Sequence, residues 1–184
     1  MPARGHSSVR IIGGEWRSRV IRFPAAQELR PTPDRMRETL FNWLGQDLTG
    51  ETCLDLFAGS GALGFEAASR GAKEVVMVER DAQIFRALQS THTLLGAAQV
   101  ELTRADALAF LRSDTRRYRV VFLDPPFDLG LLPRLLALLP ERLHDGARVY
   151  VESDRLPELP TGYETMRQYR AGRVHGLLIK CVRS

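Results

Sequence analysis

The sequence predicts an α/β fold built on a doubly wound, mostly parallel sheet, and three observations lead to this prediction. From residue 52 onward, short apolar segments alternate with longer segments of helical periodicity. The short segments are almost continuously apolar, as in strands that are buried on both faces. A glycine-rich turn follows the first of them, where a strand of such a sheet passes into its helix.

The predicted elements form seven strands with helices between them. Parallel strands are predicted at residues 52–57, 74–79, 100–104, 119–124 and 147–152. Helices are predicted at residues 62–69, 82–95, 107–111 and 129–139. Residues 163–169 and 174–182 are expected to form an antiparallel hairpin that closes the sheet.

A hairpin and one helix are predicted to precede the sheet. Residues 9–23 alternate between apolar and arginine side chains around two glycines, so one face of this hairpin should be apolar and the other rich in arginine. The next helix is expected to begin with Thr32 as a hydroxyl cap, Pro33 in the first turn and Asp34 as an early acid.

The net charge of the chain lies in its first thirty residues. The 184 residues carry a formal net charge of +4, and residues 1–30 contain six arginines and two glutamates, which equals that charge. Clustered guanidinium groups displace counterions from phosphates, so this basic arm is a candidate for binding a polyanion. A solvated surface is the alternative. We predict two parts, the arm at residues 1–30 and a larger domain at residues 31–184.

The composition excludes several classes of protein. With 44% hydrophobic and 26% charged residues the chain is typical of a soluble globular protein, and it has no apolar run near the roughly 20 residues that cross a bilayer. The first eight residues lack the pattern of a signal peptide, so a cytoplasmic protein is expected. Cys53 and Cys181 are expected to be buried thiols. We predict no metal site, because the cysteines and the four histidines lack the spacing of metal ligands.

The glycine-rich turn is a candidate cofactor site. Gly59, Gly61 and Gly64 match G-x-G-x-x-G at the carboxyl end of the first strand, and Glu79 ends the next strand. This pattern alone fits NAD as well as other cofactors that contain adenosine. Asp55 favours S-adenosyl-L-methionine, since a carboxylate in this turn would repel a pyrophosphate but can face the cationic amino group of a methionine.

Two acids at the following strand ends are expected to bind the adenosine part of this cofactor. Glu79 can accept hydrogen bonds from both ribose hydroxyls. Asp106 can accept one from the adenine amino group beside the backbone N–H of Ala107, and an N-cap is its alternative role. The cofactor residues predicted at this stage are Asp55, Phe57, Ala58, Gly59, Ser60, Gly61, Glu79, Arg80, Asp106, Ala107 and Asp124.

The most specific motif is Asp124-Pro125-Pro126-Phe127, which follows the fourth strand of the sheet. The Asp124 carboxylate and the Pro125 carbonyl can accept the two N–H hydrogens of an exocyclic amine and so turn its lone pair toward a sulfonium methyl group. Phe127 offers a ring on which an unpaired base can stack. We predict Asp124, Pro125 and Phe127 as the catalytic residues. A turn that merely ends the strand is the alternative.

Motifs along most of the chain resemble one enzyme family. They are Arg10-Ile-Ile-Gly-Gly14, Leu29-Arg-Pro-Thr32, Asp34-Arg35, Arg37-Glu-Thr-Leu-Phe-Asn42, Asp55-Leu-Phe-Ala-Gly-Ser-Gly-Ala-Leu-Gly64, Asp124-Pro-Pro-Phe127 and Tyr150-Val-Glu-Ser153. Together they resemble the bacterial RsmD-type 16S ribosomal RNA guanine-N2 methyltransferases. The resemblance assigns no RNA contact to the chain beyond Tyr169.

The resemblance implies a class I, Rossmann-like methyltransferase domain at residues 31–184, with S-adenosyl-L-methionine as methyl donor. The implied acceptor is one guanine of 16S ribosomal RNA in a small-subunit particle with ribosomal proteins, and a monomer is expected. Thr32 and Arg35 would help to close the cofactor pocket. The predicted RNA-binding residues are Arg10, Arg17 and Arg19 by resemblance, and Arg22 and Arg30 by the charge of the arm.

Two other functions remain open on the sequence alone. A DNA or RNA adenine-N6 methyltransferase also uses Asp-Pro-Pro before an aromatic ring, although this chain has no obvious insertion for a DNA target-recognition domain. A non-catalytic RNA-binding assembly factor could keep the fold without turnover. Failure to bind S-adenosyl-L-methionine would favour the assembly factor.

Overall fold

The computed structural model describes residues 6–25 and 32–182, except for the side chain of His6. In these ranges the chain forms a two-stranded hairpin, a seven-stranded sheet and five α-helices. The hairpin pairs β1 (His6–Arg10) with β2 (Val20–Pro24) in antiparallel register.

The central sheet has the predicted, mostly parallel arrangement. Its strands are β3 (Thr52–Asp55), β4 (Glu74–Glu79), β5 (Val100–Arg104), β6 (Tyr118–Leu123), β7 (Leu143–Ser153), β8 (Tyr163–Ala171) and β9 (Val174–Cys181). They lie in the order β5-β4-β3-β6-β7-β9-β8; β3 to β7 are parallel, and β9 is antiparallel to both of its neighbours. The order reverses between β3 and β6, which is where doubly wound sheets bind ligands.

Helices cover both faces of the sheet. They are α1 (Asp34–Leu44), α2 (Ala62–Ser69), α3 (Ala82–Leu95), α4 (Ala107–Ser113) and α5 (Leu132–Leu138). The bounds of α2 and α3 are those predicted. The predicted helix at 129–139 is shorter because Gly130, with φ 55°, separates α5 from a 3-10 turn at Phe127–Leu129. No helix within the described residues is long and apolar enough to span a membrane.

The sheet separates two apolar cores. One contains side chains of the hairpin, α1, α2 and α3, and the other contains those of α4 and α5. Neighbouring strand residues alternate between the cores, so Met77 belongs to the first and Val76 to the second. Cys53 and Cys181 are buried, one in each core, as predicted.

The N-terminal hairpin differs from the prediction at its turn. Strand β2 begins at Val20, and residues 11–19 form a loop instead of continuing the strand back to Trp16. The N–H of Trp16 donates to the hydroxyl of Ser69 at 2.9 Å, and the N–H of Glu15 donates to the Ser69 carbonyl at 2.7 Å. The predicted strand was wrong here because this loop bonds to the end of α2 instead of to β1.

The hairpin nevertheless has the predicted two faces. Ile21 and Phe23 are buried in the first core, whereas Arg22 between them is exposed. The arm therefore shares its core with α1, α2 and α3. The predicted boundary after residue 30 remains a prediction, because residues 26–31 lie outside the described ranges.

Helix α1 begins without the predicted threonine cap. Its N-cap residue is Pro33, whose carbonyl accepts the N–H groups of Met36 and Arg37 at 2.9 and 3.0 Å. The Thr32 hydroxyl instead donates to Oε1 of Glu152 at 2.8 Å, across 120 residues of sequence. The prediction was wrong because this hydroxyl is directed toward a buried carboxylate, a stronger acceptor than a neutral group.

A fully buried carboxylate connects the loop of the arm to α1 and α2. Glu66 on α2 accepts the backbone N–H groups of Ile12 and Gly13, each at 2.8 Å. It also accepts the guanidinium groups of Arg37 at 3.2 Å and Arg70 at 2.9 Å. The side chains of Glu66 and Arg37 are both 0% exposed. Four donors therefore offset the cost of burying this charge.

Arg37 bonds to the end of β1 and to the residues around the beginning of α1. Its guanidinium donates to the carbonyls of Arg10 at 2.8 Å and Thr32 at 3.2 Å. It also donates to Asp34 at 2.6 Å. One side chain thus holds the end of β1 and the beginning of α1 in a fixed relation.

Glu66→Gln is expected to lower the free energy of unfolding by about 3–5 kcal/mol, because Arg37 and Arg70 then lose the one fully buried carboxylate that they share. Urea denaturation measures the loss. Glu101→Gln is the control, since it removes a 2.8 Å ion pair to Arg116 whose Glu101 side chain is 52% exposed. Such a pair contributes less than about 1 kcal/mol. Equal losses in the two variants would contradict the importance of the buried network.

Candidate active site

Four parallel strands bring acidic residues to one edge of the sheet. Asp55 ends β3, Glu79 ends β4, Asp124 follows β6, and Glu152 is the penultimate residue of β7. The parallel register places all four at the carboxyl edge. The glycine-rich turn and the Asp-Pro-Pro-Phe motif therefore lie beside each other at the point where the strand order reverses.

Asp55 lies beneath the glycine-rich turn and is 2% exposed. Its carboxylate accepts the N–H of Gly64 at 2.9 Å, and the N–H of Phe57 also donates to it. Burial raises the pKa of Asp55 to about 7, against the effect of these two hydrogen bonds, and the negative charge of Glu79 adds to the rise. The Asp55 carboxyl group therefore helps to fix the backbone conformation of the glycine-rich turn.

The turn itself requires glycine. Gly61 has φ 83°, and a Cβ at this position would lie 2.6 Å from the Phe65 ring. Glu79 borders the turn on the side of β4, where its Oε2 accepts the N–H of Gly59 at 3.0 Å and its Oε1 accepts the N–H of Asp81 at 2.8 Å. A ligand can therefore approach the backbone of the turn closely.

The other predicted cofactor residues surround this turn. Ala58, Ser60 and Ala107 are buried, Phe57 is half-buried, and Arg80 is exposed.

Asp106 is the N-cap of α4. Its carboxylate accepts the N–H of Ala109 at 3.0 Å, which is the alternative role considered for it. A carboxylate has further lone pairs, so the cap leaves acceptor capacity for a second donor.

The Asp-Pro-Pro-Phe motif presents both a polar group and a ring. Asp124 is partly exposed, Pro125 is buried, and Phe127 is 37% exposed in its 3-10 turn. Burial raises the pKa of Asp124 well above its ordinary value, and the negative charges of Glu152 and Asp55 add to this rise.

Glu152 belongs to the same site, although the sequence analysis assigned it no role. Its Oε1 accepts the hydroxyl groups of Thr32 and Tyr150, each at 2.8 Å, and the Tyr150 hydroxyl lies 2.6 Å from that of Tyr169. Burial raises the pKa of Glu152, while these two hydrogen bonds lower it. Its position at a strand end, shared with Asp55, was the signal that could have identified it.

Within the described ranges, no cationic side chain pairs with the acids at this edge. Asp55, Glu79, Asp124 and Glu152 form no ion pair with any described residue. Neighbouring carboxylates repel each other, and a cation bound among them would relieve this repulsion. Within residues 6–25 and 32–182, no cluster of three or more His, Cys, Asp or Glu side chains could hold a metal ion. The edge is suited to a positively charged organic ligand.

The residues predicted to close the pocket and to bind RNA lie near the arm. Thr32 is buried, and Arg35 is exposed in the first turn of α1. The exposed arginines of the arm are Arg10, Arg17, Arg19 and Arg22. Arg30, which was also predicted, lies outside the described residues.

Comparisons with known proteins cover almost the whole chain. The family model described as conserved hypothetical protein 95 matches residues 9–180. Ribosomal RNA small subunit methyltransferase D of Escherichia coli K12 is 42% identical over 175 residues, which are 92% of this chain and 88% of the relative. The chain belongs to the RsmD family of methyltransferases. The RsmD-family relative from Haemophilus influenzae is 40% identical over 174 residues, which are 90% of each chain.

Solved structures agree with membership of the RsmD family. A methyltransferase from Escherichia coli has a TM-score of 0.88 and 39% identity, covering 97% of this chain and 100% of that chain. An RNA methyltransferase from Salinibacter ruber, solved with S-adenosyl-L-homocysteine, has a TM-score of 0.62 and 21% identity, covering 84% of this chain and 95% of that chain. The predicted class I methyltransferase fold and the predicted enzyme class are confirmed.

Asp55→Asn is expected to remove a pH dependence of stability. The native pKa of about 7 lies above the ordinary value of 3.8, so the unfolded protein binds fewer protons than the native protein between these values. The free energy of unfolding contributed by Asp55 therefore falls as the pH rises from about 4 to 7. Urea denaturation at several pH values should give the variant a shallower fall than the wild type. Parallel curves would contradict the raised pKa.

Proposed function

We propose that this methyltransferase transfers the methyl group of S-adenosyl-L-methionine to N2 of a guanine in 16S ribosomal RNA. The observation that supports it most strongly is the position of Asp124 and Pro125 beside the glycine-rich turn, at one edge of the sheet. The relatives are named for methylation of small-subunit ribosomal RNA, and the choice of guanine N2 rests on the motifs that the chain shares with the family.

The residues at the edge fit S-adenosyl-L-methionine. This cofactor carries a sulfonium and an ammonium group and supplies an electrophilic methyl group. Unpaired carboxylates at Asp55 and Glu79 favour such a cation, and Gly59 and Gly61 allow close approach to the backbone. Glu79 would bind the ribose and Asp106 the adenine, while Thr32 and Arg35 would close the pocket.

Asp124 and Pro125 would position the acceptor amine. The carboxylate and the Pro125 carbonyl accept its two N–H hydrogens, which directs the nitrogen lone pair away from the base and toward the methyl group. The same two oxygens stabilise the positive charge that develops on nitrogen. The exposed ring of Phe127 would stack on the guanine, and Asp124 or water would accept the proton that the amine loses.

The basic arm would hold the RNA. Its exposed arginines can bind phosphates, and the network around Glu66 fixes its loop to α2, which begins at the glycine-rich turn. We propose a monomer that acts in the cytoplasm on a small-subunit particle containing ribosomal proteins.

The decisive experiment is transfer of labelled methyl from S-adenosyl-L-methionine to small subunits of a strain that lacks this gene. Nucleoside analysis of the digested RNA should place the label in N2-methylguanosine. Label in N6-methyladenosine would overturn the choice of acceptor. Cofactor binding without any transfer would favour the assembly factor over the enzyme.

Asp124→Ala is expected to reduce methyl transfer at least about 100-fold while calorimetric cofactor affinity changes little, because the lost oxygens act mainly on the amine. Asp128→Ala is a matched control, since this exposed acid lies four residues further along the same segment and should retain activity. Full activity of Asp124→Ala would contradict the proposed catalytic role.

A further inference from the structure

The hairpin of β8 and β9 carries only positive charges beyond Glu164, the acid near the beginning of β8. Between Met166 and Val182 the chain has three arginines and one lysine but no aspartate or glutamate. The arginines lie toward one end of the hairpin, at Arg167, Arg170 and Arg173, and we call these three residues the C-terminal basic patch. Lys180 lies toward the other end.

The register places this patch at the edge of the candidate active site. Ser153, at the carboxyl end of β7, pairs with His175 of β9, and His175 pairs with Arg170 of β8. The turn around Arg173 therefore lies at the same edge of the sheet as Asp124. Three strand spacings separate β6 from β8, so the backbones of Asp124 and Arg170 are on the order of 15 Å apart.

The three arginines are exposed, and none is ion-paired to a residue that the structure describes. Arg167 donates to the Met166 carbonyl at 2.9 Å, and Arg170 donates to the Gly172 carbonyl at 3.0 Å. No carboxylate among the described residues lies within ion-pair distance of the patch. Elsewhere Arg37, with 0% side-chain exposure, does form ion pairs. The positive charge of the patch is therefore available to a partner.

Tyr169 fixes the patch relative to the site. Its hydroxyl lies 2.6 Å from that of Tyr150, which donates to Glu152. Its ring lies 5.5 Å from the Trp43 ring and covers Gly176, where a Cβ would come too close to the tyrosine. Since this residue lies between Arg167 and Arg170, the patch is carried on a strand that is anchored to the reactive edge.

We propose that the C-terminal basic patch is a second RNA-binding surface, which contacts phosphates of the same RNA whose target base enters the site. The proposal rests on the proposed function. Guanidinium groups bind phosphate oxygens in bidentate geometry, and no carboxylate in the described part of the chain competes for those of the patch. The hairpin of the arm packs with α1, α2 and α3, whereas the patch lies on the edge strand β8, so the two surfaces can contact the RNA backbone at separate places.

Protection of an edge strand is the other role that such arginines can have. Strand β8 ends the sheet, and exposed charges on an edge strand prevent pairing with another molecule. This role predicts aggregation of a neutralised variant without any change in the salt dependence of RNA binding. The two roles therefore differ in a measurable quantity.

The test compares two double variants that lose the same charge. Arg170→Ala/Arg173→Ala removes two of the three charges of the patch, and Lys73→Ala/Arg112→Ala removes two exposed cations near the opposite edge of the sheet. Binding to small subunits from the strain lacking the gene is measured at several salt concentrations, together with KM and kcat for methyl transfer. Calorimetry with S-adenosyl-L-methionine confirms that each variant keeps an intact cofactor site.

The patch variant should reduce the slope of log affinity against log salt by about 1–2, because each lost phosphate contact contributes roughly 0.7–0.9. Its KM for the particle should rise about tenfold with kcat and cofactor affinity unchanged, and the control should match the wild type. Arg173→Ala alone, which removes no described hydrogen bond, should give part of this effect.

An unchanged slope and KM in an active patch variant would overturn this inference and leave the methyl transfer standing. If the patch variant has the wild-type salt slope but aggregates, the arginines protect the edge strand β8 from pairing with another molecule. If the wild type transfers no methyl group to the particle, the proposed function itself fails, so the two failures are distinguishable.

Discussion

The buried charge of Glu66 is the constraint on which the arrangement of the N-terminal third depends. A carboxylate without exposure must be surrounded by donors, and these donors come from three separate parts of the chain: the loop of the arm, α1 and α2. Because α2 begins at the glycine-rich turn, the same side chain relates a basic surface to the cofactor edge. Replacing these charges by apolar groups can preserve stability. The hydrogen bonds that fix the orientation of the arm relative to α1 and α2 would then be lost.

The reactive edge has a different electrostatic character. There the acids form no ion pair with a described residue. Burial raises the pKa values of Asp55, Asp124 and Glu152, and neighbouring carboxylates add to the rise for Asp55 and Asp124. One part of the fold therefore neutralises a buried carboxylate with arginine, whereas the other leaves carboxylates for a ligand to neutralise. This contrast distinguishes a charge that organises structure from charges that are available for binding.

Local patterns predicted the sheet, the bounds of α2 and α3, and the edge of the sheet that carries Asp55, Glu79 and Asp124, because periodicity and glycine spacing are properties of neighbouring residues. The first strand was predicted to end at residue 57, but β3 ends at Asp55. Contacts between distant segments were not predictable in this way. Trp16 was expected in a strand, yet its N–H bonds to Ser69, and Thr32 was expected to cap a helix, yet its hydroxyl bonds to Glu152. In both cases a tertiary acceptor determined the local conformation, and no local pattern specifies which distant acceptor will be near.

The hydrogen bond between Thr32 and Glu152 also has a consequence for the order in which interacting residues become available during synthesis. Chains are synthesised from the N-terminus. The partners of Glu66 in the arm, on α1 and at the end of α2 are all present once residue 70 has been made, whereas the carboxylate that Thr32 contacts follows Thr32 by 120 residues, in β7. The groups that dock the basic arm are therefore all synthesised well before Glu152, the acceptor of the Thr32 hydroxyl at the reactive edge.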